Sequence, residues 1–123
     1  MRLDHVQLAA PPGCEAEARR FFGDVLRLRE LEKPEPLRAR GGVWFALADG
    51  RQLHIGVEEG FEPARKAHPA FRTGLAELDD LADALTHAGE RVEWDESLPG
   101  YRRFYTVDPW GNRLELLARN EGS

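Results

Sequence analysis

The segments VWFALADGRQLHIGV (43–57) and FYTVDPWGNRLELLA (104–118) decide the fold, because they read as two copies of one unit. In each copy, two stretches of alternating apolar and polar residues flank a polar turn that contains Gly50 or Gly111. Alternation is typical of a strand with one buried face, and a glycine at that point suits a type I turn followed by a glycine bulge. The sequence therefore predicts two equivalent β-hairpins, 61 residues apart.

Each hairpin is preceded by the pattern of a strand, an amphipathic helix and another strand. Apolar residues recur at helical spacing from Cys14 to Leu26 in the first half, and from Leu78 to Ala88 in the second. The additional strands are predicted at 3–9, 28–33, 70–75 and 91–95. Two βαβββ modules in series make one α+β domain over 1–123. Its predicted parts are module one at 1–57, a connector at 58–67, module two at 68–118 and a tail at 119–123.

The composition excludes several classes of protein. The chain of 123 residues suits one domain, and its net charge of −5 argues against a nucleic-acid-binding surface. No apolar run approaches the roughly 20 residues that span a bilayer, and MRLDHVQL (1–8) has charges where a secretory signal needs an apolar core. The single cysteine excludes an internal disulfide. We therefore expect a cytoplasmic protein that binds neither nucleic acid nor membranes.

Residue types that bind metals stand at equivalent points of the two modules. The offset of 61 aligns His54 with Glu115, and an offset of 63 aligns His5 with His68. Strand alternation puts each of them on the face away from the aliphatic residues that would pack under a helix. Imidazole and carboxylate suit borderline divalent ions, so a sheet curved into a trough would hold one zinc, nickel, manganese or iron ion. The alternative is a set of polar residues on a solvated sheet face.

The same turn register gives two of these residues an aromatic neighbour. It places Trp44 across from His54 and Tyr105 across from Glu115, with Cβ atoms about 5 Å apart. A register error of one residue would turn these side chains to opposite faces. We expect Trp44 and Tyr105 to form walls of a substrate pocket, although both residues would also suit ordinary packing.

Three motifs within this arrangement resemble a known superfamily. DHVQLA (4–9), HPAF (68–71) and DPWGNRLEL (108–116), on tandem βαβββ modules, are similar to the vicinal oxygen chelate superfamily of glyoxalases, bleomycin-resistance proteins and ring-cleaving dioxygenases. The resemblance covers essentially the whole chain. It implies a U-shaped eight-stranded mixed sheet with two helices on its outer face, a cavity for a divalent metal, and a homodimer. The metal-ligand positions of the family match His5, His54, His68 and Glu115.

The resemblance implies a metal-dependent lyase or isomerase of glyoxalase type. In this hypothesis the ion chelates two adjacent oxygens of a small substrate, and Glu115 is the catalytic proton shuttle. The side chains expected to contact an anionic substrate are Gln7, Arg72 and Arg103. Glyoxalase I carries a glutamate where this chain has His54, so only Glu115 remains as a carboxylate base.

Two other functions stay open. His5, His68 and Glu115 also resemble the iron site of extradiol dioxygenases, in which Tyr105 would be a catalytic residue that hydrogen-bonds a bound catecholate. Whether His54 binds the ion separates the two reactions, because each protein ligand fewer leaves one more position for substrate or dioxygen. A bleomycin-resistance-like protein that binds a small molecule without a metal is the non-enzymatic alternative.

Overall fold

The computed structural model of the chain describes residues 1–120. This part divides into two compact units, the first from Met1 to Pro63 and the second beginning at Ala64. Each unit contains one four-stranded mixed sheet and the βαβββ order of elements, which confirms the predicted glyoxalase-like α+β fold. Residues 121–123 of the predicted tail lie outside the described part of the chain.

The first unit holds the strand order β1-β4-β3-β2. Its elements are β1 (His5–Ala10), α1 (Glu15–Ala18) continued by a π-helix (Arg19–Val25), β2 (Arg29–Leu31), a 3-10 helix (Glu35–Arg40), β3 (Val43–Ala46) and β4 (Gln52–Val57). β1 pairs with β4 in parallel, and the other neighbours are antiparallel. The parallel pairing requires a crossover connection, which the helix provides.

The second unit repeats this topology with the strand order β5-β8-β7-β6. Its elements are β5 (Ala70–Arg72), α2 (Leu75–His87), β6 (Glu93–Asp95), β7 (Tyr101–Val107) and β8 (Arg113–Arg119). β5 and β8 are parallel, as β1 and β4 are in the first unit. The two sheets therefore have the equivalence that the duplicated sequence predicts.

The turns of the two long hairpins set the strand register as predicted. The amide of Leu47 donates to the carbonyl of Arg51 at 2.8 Å, and that of Asp108 donates to the carbonyl of Asn112 at 2.9 Å. The turn glycines have φ angles of 87° and 94°, in the left-handed region that favours glycine. This register brings the predicted aromatic residues opposite their partners on the neighbouring strands.

The first helix differs from the prediction in its winding. From Arg19 onward it is a π-helix, and the amide of Leu26 donates at 3.0 Å to the carbonyl of Phe21, five residues earlier. Regular α-helical spacing would bury Val25 beneath the same face as Ala18. The wider turn buries Leu26 instead, which is 8% exposed, and leaves Val25 half-buried.

β2 and β5 are shorter than predicted because local backbone features end them. β2 stops at Leu31, ahead of Pro34, and the unpredicted 3-10 helix follows. Proline has no N–H for a strand ladder. β5 stops at Arg72 because the extended Gly74 (φ −83°, ψ 162°) precedes α2, which begins at Leu75.

Each unit buries its own apolar core between the helix and one face of the sheet. In the first unit the fully buried large side chains are Phe21, Phe22, Val43, Phe45, Leu53 and Ile55. In the second they are Leu78, Leu85, Phe104 and Leu114. Burial of such side chains stabilises a protein by roughly 1.5–3 kcal/mol each, so these residues stabilise the packing of the helix on the sheet in each unit. Within residues 1–120, no helix has the length and apolar character to cross a membrane.

Candidate functional site

Strand alternation gives each sheet a helix-facing side and an opposite side, which we call the site face. The site face of the first sheet carries His5, Gln7, Trp44, Gln52 and His54. That of the second sheet carries Arg72, Tyr101, Arg103, Tyr105, Arg113, Glu115 and Arg119. His68 precedes β5 by two residues.

His68 and Glu115 form a close polar pair in the second unit. The Nε2 atom of His68 lies 3.0 Å from Oε1 of Glu115. The parallel pairing of β5 with β8 positions them, since Ala70 lies opposite Glu115 and the Glu115 amide donates to the Pro69 carbonyl at 3.0 Å. The Glu115 side chain is 7% exposed and that of His68 is 24% exposed, so a ligand could still approach the pair from the imidazole side.

The ring nitrogens of His68 both face acceptors. Its Nδ1 lies 2.8 Å from the carbonyl oxygen of Lys66, while Nε2 faces the carboxylate of Glu115. A neutral imidazole has one N–H, so it can donate to only one of them. With the proton on Nδ1, the lone pair of Nε2 faces a carboxylate oxygen, and a cation between these atoms would stabilise both. A backbone carbonyl that accepts from Nδ1 is typical of metal-bound histidines.

Arg103 holds the second oxygen of Glu115. Its Nη1 donates to Oε2 at 3.2 Å, and the rest of the guanidinium donates to Asp95 at 3.3 and 3.4 Å and to Ser97 at 3.3 Å. Burial opposes the charge of Arg103, but the hydrogen bond and the charge of Glu115 outweigh it and raise the pKa of Arg103. The guanidinium predicted to contact substrate is therefore engaged with three side chains.

His5 begins the site face of the first sheet. Its Nδ1 lies 2.9 Å from Oδ2 of Asp4, while its side chain is 44% exposed. A carboxylate that accepts from Nδ1 fixes the tautomer in which Nε2 offers its lone pair. His5 and His68 thus share one feature: each has an acceptor at Nδ1, which frees Nε2 as a metal ligand.

His54 has different surroundings. Its ring is stacked on Trp44, with centroids 3.8 Å apart and planes at 1°, and on His5, with centroids 4.3 Å apart and planes at 19°. Its Nε2 lies 2.8 Å from Oε1 of Gln52, so that nitrogen carries the N–H. Burial, followed by the charge of His5, lowers the pKa of His54 and favours the neutral ring.

The stacked rings restrict what His5 and His54 can bind together. The lone pair of an imidazole nitrogen lies in the plane of its ring. Two nearly parallel rings one above the other therefore direct their lone pairs side by side, and in this arrangement they do not converge on one ion. Of the two, His5 has the free Nε2 and the exposed edge.

The donor atoms of the second unit fit a divalent metal. Bonds of about 2.0–2.2 Å at a right angle would separate two donor atoms by about 3.0 Å, the distance between His68 Nε2 and Glu115 Oε1. Within either unit, over residues 1–120, no group of three or more His, Cys, Asp or Glu side chains is arranged to hold a metal. The second site face therefore offers two donor atoms to such an ion, those of His68 and Glu115.

The remaining predicted site residues lie on the same two faces. Gln7 is opposite His54 in the register, and its amide lies over Gly56, where a Cβ atom would approach it to 2.8 Å. Tyr105 is opposite Glu115, and its ring meets that of His68 edge-on at 5.6 Å. Arg72 is exposed at the end of β5.

The sequence interpretation missed the side chains that orient the candidates. Asp4 at His5 and Gln52 at His54 were detectable, because one is adjacent in sequence and the other lies two residues away on the same strand face. The Arg103–Glu115 contact also had a signal. Arg103 lies opposite Leu117, so it is a diagonal neighbour of Glu115 within reach of a long side chain.

Comparisons with known proteins give matches among solved structures only. No family model matches the chain, and no curated protein is significantly similar to it in sequence. A structure assigned to the glyoxalase family from Bacillus anthracis is 44% identical, with a TM-score of 0.91 over 98% of this chain and 96% of that chain.

Two more distant structures share the fold. A fosfomycin resistance protein from Listeria monocytogenes, in complex with Mn(II) and 1S,2S-dihydroxypropylphosphonic acid, is 19% identical with a TM-score of 0.77, over 98% of this chain and 93% of that chain. Lactoylglutathione lyase from Agrobacterium tumefaciens is 22% identical with a TM-score of 0.70, over 95% and 92%. The likeness to the Bacillus anthracis protein, at 44% identity over nearly the full length of both chains, shows the family. The chain belongs to the glyoxalase family of the vicinal oxygen chelate superfamily.

Proposed function

We propose that the protein is a divalent-metal-dependent enzyme that acts as a homodimer on a small substrate chelated through two adjacent oxygens. His5 and His68 provide Nε2 ligands and Glu115 provides Oε1, from one chain or from two copies of it. The observation that carries this proposal is the His68–Glu115 contact of 3.0 Å between Nε2 and Oε1, in a ring whose Nδ1 faces the Lys66 carbonyl. Zinc, nickel, manganese and iron all suit this donor set.

The proposed reaction is a glyoxalase-type lyase or isomerase reaction. When bound, the ion would act as a Lewis acid that stabilises negative charge on the substrate oxygens. Glu115 would move a proton between adjacent substrate carbons, with its carboxylate held in place by the hydrogen bond that Oε2 accepts from Arg103. Arg103 is then a positioning residue: Asp95 holds its guanidinium, and the guanidinium holds the carboxylate of Glu115.

Side chains of each sheet suit the walls of a substrate pocket. The amide of Gln7 lies beside His54 and is exposed, so it can donate to a substrate oxygen. Trp44 and His54 provide a stacked aromatic wall. In the second sheet, Tyr105 provides a wall next to His68. Such a mixture of apolar walls with a few convergent polar groups is typical of small-molecule sites.

An extradiol-type dioxygenase is the second candidate, because the same three ligands, without His54, also suit it. With His54 stacked between two rings and bonded to Gln52, the ligand set becomes two histidines and one carboxylate. That set, with its open positions, is typical of non-heme iron oxygenases. The position of Tyr105 beside the His68–Glu115 pair suits a hydrogen bond to a bound catecholate.

Metal analysis combined with oxygen consumption tests both candidates. We expect untagged protein reconstituted with each of the four metals to retain one ion per chain, and His5→Ala and His68→Ala to lose it. Turnover without oxygen uptake supports the lyase or isomerase. Iron-dependent oxygen uptake with catechols supports the dioxygenase. If the wild-type protein retains no metal but binds small planar molecules tightly, the protein is a bleomycin-resistance-like binding protein and the proposal is wrong.

A further inference from the structure

The site face of the second sheet carries more arginines than carboxylates that pair with them. Four arginines lie on it: Arg72, Arg103, Arg113 and Arg119. Arg103 is paired with Glu115 and Asp95. Within residues 1–120, the other three make no ion pair with a carboxylate, although the whole chain has a net charge of −5. The unpaired positive charge is therefore a local property of this face.

Two of these arginines meet at one tyrosine. Arg119 lies directly across from Tyr101, donates from Nη2 to its hydroxyl at 3.2 Å, and has its Cζ atom 5.4 Å from the ring centroid. The Cζ atom of Arg72 lies 5.6 Å from the same centroid. Contacts with the aromatic face compensate part of each charge, but they leave most of the guanidinium donors free.

An oxyanion would complete this arrangement. Two like charges beside one ring repel each other, and a carboxylate or phosphate between them would convert that repulsion into two charge-assisted contacts. Planar guanidinium groups match these anions in bidentate geometry. The arrangement is not inherited from the duplication, because the repeat-equivalent positions of Arg72 and Arg119 in the first unit are Ala9 and Glu58.

We infer that Arg72, Arg119 and Tyr101 form a subsite for an anionic group of the substrate, separate from the metal-binding residues. This inference rests on the proposed function and deepens it. Arg72 is two residues and Arg119 four residues further along the strands than Glu115, which corresponds to roughly 7 and 13 Å. The substrate class is therefore a small acid with adjacent oxygens at one end and a carboxylate or phosphate at the other.

Titration of the isotope-labelled, metal-free protein with inorganic phosphate and with succinate tests the subsite. We expect saturable shifts of the Nε–Hε resonances of Arg72 and Arg119, and the more strongly bound probe identifies the anion as phosphate or carboxylate. The double variant R72Q/R119Q should bind that probe about tenfold more weakly or worse. R119K keeps the positive charge but loses the planar guanidinium. Its affinity for the probe should lie between that of the wild type and that of R72Q/R119Q.

Arg102→Gln is the matched control, because Arg102 follows Tyr101 on β7 but lies on the opposite face, where it pairs with Asp79. R102Q should bind both probes as the wild type does. If R102Q weakens probe binding as much as R72Q/R119Q does, or if the wild type shows no saturable response, the proposed subsite is wrong. R72Q/R119Q should retain zinc, whereas H68A should lose zinc and retain the phosphate or succinate response. If H68A retains zinc while the anion binds, the proposed metal site fails and the subsite stands.

Discussion

The two site faces occupy equivalent places in a duplicated fold, yet they differ in chemistry. His54 and Glu115 each lie opposite an aromatic residue, Trp44 or Tyr105, at the same offset of 61 residues. His54 packs its ring flat on Trp44. Glu115 instead extends both carboxylate oxygens into polar contacts, one with His68 and one with an arginine.

This difference shows that an equivalent backbone position does not determine the role of a side chain. What differs is the neighbour on the next strand. In the second sheet, Arg103 donates a hydrogen bond to the Glu115 carboxylate, and this contact helps to raise the pKa of Arg103. In the first sheet, Gln52 accepts a hydrogen bond from His54, and burial lowers the pKa of His54. We therefore propose that Glu115 binds the metal and that His54 supports the pocket.

The largest expected difference between the two positions is in metal affinity. Glu115→Gln should weaken the binding of zinc and manganese by more than about 100-fold, because it replaces a charged ligand. Loss of a residue that only hydrogen-bonds to a metal ligand typically weakens metal binding by about 10- to 100-fold. His54→Phe, which keeps an aromatic ring in the stack, should weaken binding by less than about tenfold. Competition with a chromophoric chelator measures both. Equal losses in the two variants would make His54 a fourth ligand.

The next effect is on stability and concerns the arginine that only the second site face has. Arg103→Met leaves the buried Glu115 charge with one partner, and breaking a buried ion pair in this way costs about 3 kcal/mol. Urea unfolding at pH 7 measures it. Adding Glu115→Gln to this variant should recover part of the loss, because the unpaired charge is removed.

Arg102→Met provides the comparison for an exposed pair. Arg102 pairs with Asp79 at 2.9 Å and lies over Trp94 at 4.0 Å, with about half of its side chain exposed. Its replacement should cost about 1 kcal/mol or less. If Arg102→Met lowers the free energy of unfolding as much as Arg103→Met does, the buried charge of Glu115 is not the cause of the larger loss expected for Arg103→Met.

A smaller effect is expected on the helix-facing side, where the repeats also differ. Phe45 fills the core of the first unit, while the equivalent residue of the second is Thr106, which is 1% exposed and has a hydroxyl without a hydrogen-bond partner among residues 1–120. Thr106→Val should stabilise the protein by about 1 kcal/mol, because it removes an unsatisfied polar group. Thr86→Val, which removes a hydroxyl that donates to Ala82 at 2.8 Å, should not stabilise it. Thermal unfolding separates the two outcomes.

The smallest expected effect is the pH dependence that His54 gives the metal-free protein. Burial, then the charge of His5, lowers its pKa in the folded state, whereas in the unfolded chain histidine titrates near about 6.5. As the pH falls through that value, the unfolded chain takes up a proton that the folded chain does not. Stability should therefore decline from about pH 6.5 down to the lower folded pKa, and His54→Phe should remove this component. Urea midpoints between pH 5 and 8 would show it, and an unchanged slope would contradict it.

The parts of the fold that depend on neighbouring residues in sequence could be predicted. The glycine turns fixed both hairpin registers, and the repeat located the four candidate ligands. The π-helix could not be predicted, because Val25 and Leu26 are both apolar and only packing against the sheet selects Leu26 for the core.

The candidate site could be predicted in its residue types but not in its contacts. The stack of His5, His54 and Trp44 depends on side-chain rotamers, which strand alternation does not specify. The engagement of Arg103 depends on a diagonal contact between strands. Arg119 lay at the predicted start of the tail, so its place on the site face beside Tyr101 became visible only in β8.

Nitrogen-15 spectra of the imidazoles test the central claim most directly, because they report which ring nitrogen of each histidine carries the proton. In the metal-free protein at a pH where the rings are neutral, we predict Nδ1–H for His5 and His68 and Nε2–H for His54. Addition of zinc should shift Nε2 of the first two and leave the nitrogens of His54 in place. If His54 shows the same tautomer and the same response to zinc, the two site faces do the same chemistry and the account is wrong.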